Sequence, residues 1–370
     1  MRDTQQQFLH CQSPSQRLAH EKFCDDGLLL PFEYSRDGFR FPNPTIFQGH
    51  NTWSLSPFAD PLCSWSSEEV AGMHMGPVTA DLHGRLLFYL REIVRAFVVR
   101  LRHSKTSFQI HQLGIGKLTV QLSLNNPKSF ARIEAANLIE SGCDSVNETL
   151  VTMTDLLQPP TENPHTTLVT VFIMDSIKNS LIVADNLQNF GPQSDAIRHA
   201  AQTYLPFIRV PTSNYDPDIC RRVVAMRVIA TWDHVWDRFV KKKQLSETGA
   251  FLNAKMKDQH TIVEKWPYQL KLRPGQPGAN EEFDRRLSDG IPSKLRYVEW
   301  ARIHPQDAIS LPKLGCTRLF HDLRRLQETM RQNIEKLKAS LTQASVPENT
   351  ASPDIDQHTL EEAIQTPFPE

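Results

Sequence analysis

The 370-residue chain is short of most features that announce a function. It has no charge imbalance, since 41 Lys and Arg against 42 Asp and Glu leave a formal net charge of −1. A near-neutral chain has no global electrostatic drive toward nucleic acid or an anionic membrane, so neither is an expected partner. No apolar run reaches the ~18 residues that a spanning helix needs. The first residues, MRDTQQQFLHCQSPSQ, contain no apolar segment of signal-peptide type. Both absences point to the cytoplasm, with the nucleus left open. The six cysteines, Cys11, Cys24, Cys63, Cys143, Cys220 and Cys316, stand singly. Neither a disulfide framework nor a C-x-x-C metal knuckle is therefore expected. The sequence contains no G-x-S-x-G nucleophile elbow and no complete G-x-G-x-x-G loop.

What is present divides the chain into five stretches. Residues 1–26 begin glutamine-rich and then give a short helix, SPSQRLAHEKFCDDG, with Ser13 or Ser15 as its cap and Gly27 as its stop. Residues 27–80 form an irregular region, in which Leu28–Trp65 (LLLPFEYSRDGFRFPNPTIFQGHNTWSLSPFADPLCSW) mixes proline, glycine and aromatics at a density of proline that no helix survives. The aromatic content predicts an irregular wrap packed on the rest. Residues 81–317 form the body, 318–342 a charge-laced helix, and 343–370 a Ser-, Thr-, Pro- and Glu-rich tail expected to be disordered.

Within the body, Leu82, Leu86, Leu90, Ile93, Val94, Phe97 and Leu101 recur at three- and four-residue steps and predict a helix over 81–103. SFQIHQLGIGKLTVQLSL reads as one or two strands, and FARIEAANLI as another. DSVNETLVTMTDLLQ reads as a helix ending at Pro159, and HTTLVTVFIMDSI as a buried strand. Strand, helix, strand in that order predicts a crossover unit of a mostly parallel sheet flanked by helices, an α/β fold. A second amphipathic helix spans 225–243. HTIVEKWPYQLKLRPGQPG is extended and ends in two turn signals.

Three constellations carry possible chemistry. Gly114 and Gly116 follow an extended run, and Glu134 lies where an acidic residue would meet a ribose, so the three together could form a displaced cofactor loop. Lys117 and Leu118 stand where the third glycine should be, and KLTVQLSLNNPKSF has a strand-like texture, which favours a tight turn between strands. His20 and Cys24 share a helix face, with His10 and Cys11 upstream, but a zinc site needs about four ligands. With no C-x-x-C to complete it, no metal site is expected, and these read as isolated side chains. Lys271 and Arg273, ahead of a Pro-Gly turn, suit either an anion site or a structural loop. Asp233, His234 and Asp237 fall on the polar side of their helix and read as a solvated face. The basic groups around Arg100–Lys105 and Lys241–Lys243 lie at predicted helix C-termini, where the helix dipole favours cations.

Several long blocks resemble a known family. FARIEAANLIESG (Phe130–Gly142), LLQPPTENPHTTLVTVFI (Leu156–Ile173), HTIVEKWPYQLKLRPGQPGANEEFD (His260–Asp284) and RYVEW (Arg296–Trp300) are similar to the C-terminal part of fungal proteins of the domain-of-unknown-function 4470 family. That domain is shared with dynein axonemal assembly factors, and its fold resembles class I methyltransferases. The resemblance covers roughly residues 15–305 and implies a partial class I methyltransferase-like body. Members usually open with a loop of the form L-G-C-G-D-x-R, and nothing before Asp81 matches it. Glycine in that loop lets backbone amides approach the cofactor. Without it, the resemblance implies a scaffold and not an activity.

Two functions are therefore expected side by side. One is a non-catalytic interaction or assembly module with no cofactor and a protein partner. The alternative is an S-adenosylmethionine-dependent methyltransferase using Gly114, Gly116 and Glu134. A third expectation concerns completeness: a truncated relative would lack its first strands, and Leu28–Trp65 or a partner would have to cover the exposed sheet.

Overall fold

The computed structural model describes residues 12–41, 60–74, 80–125, 128–135, 143–185, 195–206, 216–288, 295–304 and 317–343. Helix α1 (Pro14–Asp26) forms as its caps require. Ser13 Oγ accepts from the Gln16 N–H at 3.3 Å, the Ser13 N–H donates back to Gln16 Oε1 at 3.0 Å, and Gly27 ends the helix at φ 70°. No helix follows as far as residue 41, as proline-rich sequence requires, and residues 42–59 of the expected wrap lie outside the described residues. A 3-10 turn (Pro61–Ser64) and the short α2 (Ser67–Gly72) lead into α3 (Leu82–His103), whose N-cap is Asp81, accepting from the Gly84 N–H at 2.8 Å.

The next stretch corrects the sequence reading. SFQIHQLGIGKLTVQLSL forms no strand. It runs irregularly to Gly114 and then becomes helix α4 (Ile115–Asn125). The alternation in KLTVQLSL imitates a strand, yet Thr119 and Ser123 return their hydroxyls to the carbonyls of Ile115 (3.0 Å) and Thr119 (2.7 Å), so their polar groups are satisfied inside the helix.

FARIEAANLI supplies β1 (Arg132–Glu134), with residues 136–142 outside the described set. Then come α5 (Cys143–Met153) with a 3-10 turn at Thr154–Leu156, and β2 (Thr167–Ile173), buried except at Ile173. The chain turns helical sooner than HTTLVTVFIMDSI suggests, with α6 (Met174–Asp185) following β2 directly. Helices α7 (Asp195–Tyr204), α8 (Pro217–Ile229) and α9 (Asp233–Lys243) come next. The expected single helix over 225–243 is thus two, broken where Ala230 turns extended (φ −60°, ψ 124°). Ala230 and Trp232 are both buried, and no proline or glycine marks the break. The chain ends with α10 (Leu245–Phe251), β3 (Ala254–Met256), α11 (Ala279–Ser288), β4 (Leu295–Arg302) and α12 (Thr317–Gln343). After Gln343 the tail expected to be disordered lies outside the described residues.

The four strands make one mixed sheet in the order β1-β2-β4-β3. β1 and β2 are parallel, with Ile133 opposite Leu168. β4 is antiparallel to both its neighbours: Val169 faces Glu299 on one side, and Lys255 faces Ala301 on the other. The mostly parallel pairing expected from sequence therefore holds only for β1 with β2 among the described strands. Because β4 opposes β2 and β3 alike, those two run in one direction with β1. The central place of β4 was hidden by its charges, since Arg296 and Glu299 are both buried in it.

Helices pack both ends of this sheet. Phe172 of β2 meets Trp236 and Phe239 of α9 edge-on, with ring centroids 5.0 and 6.0 Å apart. Val146 and Leu150 of α5, Leu181 of α6, Leu323 of α12 and Trp300 of β4 complete the main core. Gly249 of α10 has no room for a side chain, since a Cβ there would stand 2.8 Å from the Ala254 carbonyl and from the Trp300 ring. A second cluster joins Val224 and Val228 of α8 to Phe283 and Leu287 of α11, with Tyr204 stacked on Phe283 at 4.2 Å.

At the sheet centre Glu299 has no exposed surface. Its Oε1 accepts from the Ile262 N–H (2.7 Å) and the Val263 N–H (3.0 Å). Its Oε2 accepts from the Thr261 N–H (3.0 Å), the Thr261 hydroxyl (3.0 Å) and Lys257 Nζ (3.2 Å). Burial alone would raise this carboxyl's pKa, but the donors outweigh it and hold it at about 2 against an ordinary 4.5. The stabilisation is complete above pH 4.5 and disappears as pH falls toward 2, and the shift corresponds to about 3 kcal/mol. Glu299→Gln should therefore lower stability by roughly that amount at pH 7. Urea unfolding should show the wild type weakening between pH 4.5 and 2 more steeply than the variant. Parallel pH profiles would contradict this role.

Candidate functional site

The three residues picked out as a displaced cofactor loop are only partly brought into the required order. Such a loop needs a strand, a glycine turn, a helix N-terminus and an acid at the end of the next strand. Gly114 and Gly116 do stand at the start of α4, and Glu134 does end β1. The strand that should precede them is missing, because residues 104–114 are irregular. Both glycines are open, with nothing within 4 Å of an added Cβ, and Leu113 and Ile115 beside them are exposed. Glu134 lies on the outermost strand of the sheet, its carboxylate 3.6 Å from the Arg132 guanidinium.

The loop at Lys271 and Arg273 already holds an anion, and it is the chain's own. The backbone N–H groups of Lys271 and Leu272 each donate to the Glu282 carboxylate at 2.9 Å, while Lys271 Nζ pairs with Glu264 at 2.8 Å. Gly275 and Gly278 take positive φ (87° and 81°) to close the turn. This loop therefore fixes α11 in place. On α9, Asp233, His234 and Asp237 are exposed as their spacing predicts, and Asp233 accepts the Trp266 indole N–H at 2.7 Å. The lysines 241–243 and the cations around Arg100 are exposed in the last turns of their helices.

Two features were missed by the sequence reading. The first is a buried polar cluster where α1, the turn at Asp60 and the start of α3 converge. His20, Asp60 and His83 are 6, 9 and 3 % exposed, and one ligand atom from each lies within 4.8 Å of the others. His83 Nε2 is 3.6 Å from Asp60 Oδ1, beyond hydrogen-bond reach. The Nδ1 and Nε2 atoms of His83 and Nδ1 of His20 are buried with no hydrogen-bond partner. Cys24 Sγ lies 3.6 Å from His20 Nε2, so His20 is not the isolated side chain it was taken for. Burial pulls the His83 pKa below its ordinary value; Asp60 opposes this, His20 adds to it and Asp81 opposes it. The His10–Cys11 pair lies outside the described residues.

The second is the outer half of α3. Its periodic apolar residues predict a buried stripe, yet full burial ends at Leu86; Leu90, Ile93 and Leu101 are half-buried. Val94, Phe97 and Val99 are exposed, Val94 by 57 %, and Phe108 packs its ring 6.5 Å from that of Phe97. Ile110 beyond them is 96 % exposed. Between Leu82 and Lys105 the only acid is Glu92, against Arg85, Arg91, Arg95, Arg100, Arg102 and Lys105. The pattern that predicted the helix was sound. What it could not give was whether anything in this chain covers the stripe.

The open glycines generate a direct check. Gly114→Ala should leave thermal stability unchanged, and Gly116→Ala, inside α4, should raise it by a few tenths to about 1 kcal/mol. A loss above that size in either variant would mean that the backbone there is crowded or strained. No protein family, no curated protein and no solved structure matches the chain.

Proposed function

We propose that the chain is a non-catalytic interaction module built on a methyltransferase-like scaffold of the kind its sequence resembles, and that it receives a partner protein on the outer half of α3. The observation that carries this reading is the unburied apolar run Val94–Phe97–Val99 with Phe108 and Ile110 beside it. Contiguous exposed apolar surface rimmed by charge marks an interaction site in soluble proteins. The rim is basic, so the partner's segment is an amphipathic helix with acidic flanks. At 100° per residue Val99 lies about 140° round the helix from Val94, so the apolar residues occupy more than one side. A partner that wraps the helix suits that distribution better than a flat bilayer does. Among the described residues, no helix is long and apolar enough to cross a membrane.

The scaffold half of the reading draws on the sheet. The parallel pair β1 and β2, with α5 between them in the chain, is a crossover unit of the kind that a partial class I body would keep. Fold kinship confers no activity. The loop form L-G-C-G-D-x-R does not occur in the sequence, and the open surface at Gly114 and Gly116 offers no cradle for a cofactor. A reducing compartment, the cytoplasm, suits a chain in which Cys24 and Cys220 form no disulfide among the described residues. The second reading, an S-adenosylmethionine-dependent methyltransferase, draws on the order glycine pair, α4, Glu134.

Displayed peptides selected on the full chain, with counter-selection on a Phe97→Glu/Phe108→Glu variant, test the docking face. Both positions are exposed, so the variant should keep the wild-type circular dichroism and unfolding midpoint. The selected peptides should be helix-forming, with apolar residues at three- and four-residue steps and acidic flanks, and should bind the variant at least tenfold more weakly. Recovery of no such peptides, or binding of wild type but not variant to anionic lipid vesicles, would overturn the reading.

A further inference from the structure

The buried cluster between α1 and α3 has the composition and spacing of a cation site. We propose that His20, Asp60 and His83 hold one divalent cation of the zinc class. Two imidazoles and a carboxylate are a donor set that zinc and cobalt accept, with the fourth position left to water.

The distances agree with that chemistry. With zinc–nitrogen and zinc–oxygen bonds of about 2.0–2.1 Å, tetrahedral geometry separates two such ligand atoms by about 3.4 Å. One ligand atom from each of His20, Asp60 and His83 lies within 4.8 Å of the others, and His83 Nε2 stands 3.6 Å from Asp60 Oδ1. That last pair is too far apart for a hydrogen bond and well placed to share a cation.

The orphaned ring nitrogens are the second argument. A buried polar atom with no partner is costly, and His20 Nδ1 and both ring nitrogens of His83 are in that state, of which a cation would take up one from each ring. Neighbouring polar groups are already engaged elsewhere. Asp81 gives one carboxylate oxygen to the Gly84 N–H and the other to the Phe32 N–H, both at 2.8 Å. Asp60 Oδ1 accepts from the Leu62 N–H at 2.9 Å, which fixes the carboxylate's direction and leaves lone pairs for a cation.

The third argument is what the site would join. The buried apolar residues of this layer, Ala19, Phe23, Leu30, Val70 and Leu86, belong to neither core cluster of the body. A thin core of that kind is where proteins use a structural metal as a staple. The cation would tie α1 and the irregular segment at Asp60 to the first turn of α3, the same helix whose far end presents the proposed docking face. The site stands or falls independently of that face.

The full chain, stripped with a chelator and dialysed against zinc, should retain one equivalent per chain, and its unfolding midpoint should rise by several degrees over the stripped form. Cobalt should give the visible bands of a tetrahedral site. His83→Ala and Asp60→Asn should weaken zinc binding at least a hundredfold. In case these buried variants fail to fold, the X-ray absorption fine structure of zinc on the wild type should show the scattering of two imidazoles. A stripped wild type that takes up no zinc, or a bound zinc without two imidazole ligands, would overturn the site.

Discussion

The buried Glu299 carboxylate is the constraint on which the rest of the molecule depends. It sits on the strand that holds the sheet together, because β2 and β3 both pair with β4 and not with each other. A buried charge is tolerable only when its lone pairs are taken up, so the segment 257–263 must fold over it and present three N–H groups, a hydroxyl and an ammonium. That ammonium, Lys257 Nζ, also donates to Thr167 Oγ1 at 2.6 Å and so ties the loop to the start of β2. His260 joins from the side, its Nε2 accepting the Glu299 N–H at 3.4 Å. One carboxylate thereby fixes β4, the loop before it and the strand beside it. Trp300, the next residue, then seats its ring against Gly249 and its indole N–H on Thr170.

Among the described residues β1 is the last strand on one side of the sheet, and Arg132 and Glu134 in it are exposed. The helices α4, α5 and α12 pack on one another. Gly114 and Gly116 at the start of α4 and Glu134 at the end of β1 lie on open surface among the described residues. What the body does display, among the described residues, is a long helix whose first turn is held at Asp81 and whose outer half exposes Val94, Phe97 and Val99 between arginines. Anchoring one end and exposing the other suits a docking post.

Some of this was legible in the sequence because it is decided locally. Ser13 and Gly27 set the ends of α1 through their own side chain and backbone, and the α3 and α12 helices follow from periodicity that no tertiary contact reverses. β2 was legible because six buried residues in a row leave few alternatives. The reading failed where distant residues decide. KLTVQLSL has the alternation of a strand and is a helix. The Ala225–Lys243 helix breaks at Ala230 with no breaker residue, since burying Ala230 and Trp232 on either side of exposed Thr231 requires an extended step. β4 carries Arg296 and Glu299, and nothing local says that a glutamate will be buried. The meeting of His20, Asp60 and His83 joins three segments far apart in the chain, so no spacing rule could have found it.

The central claim is that this α/β body works without a cofactor. Calorimetric unfolding of the purified chain, with and without S-adenosylhomocysteine, tests it most directly. A ligand at ~100 times its dissociation constant adds about 2.7 kcal/mol, enough to move the midpoint by several degrees. The account predicts a cooperative transition whose midpoint does not move. A midpoint that rises by several degrees, and does so less in a Glu134→Ala variant, would contradict it.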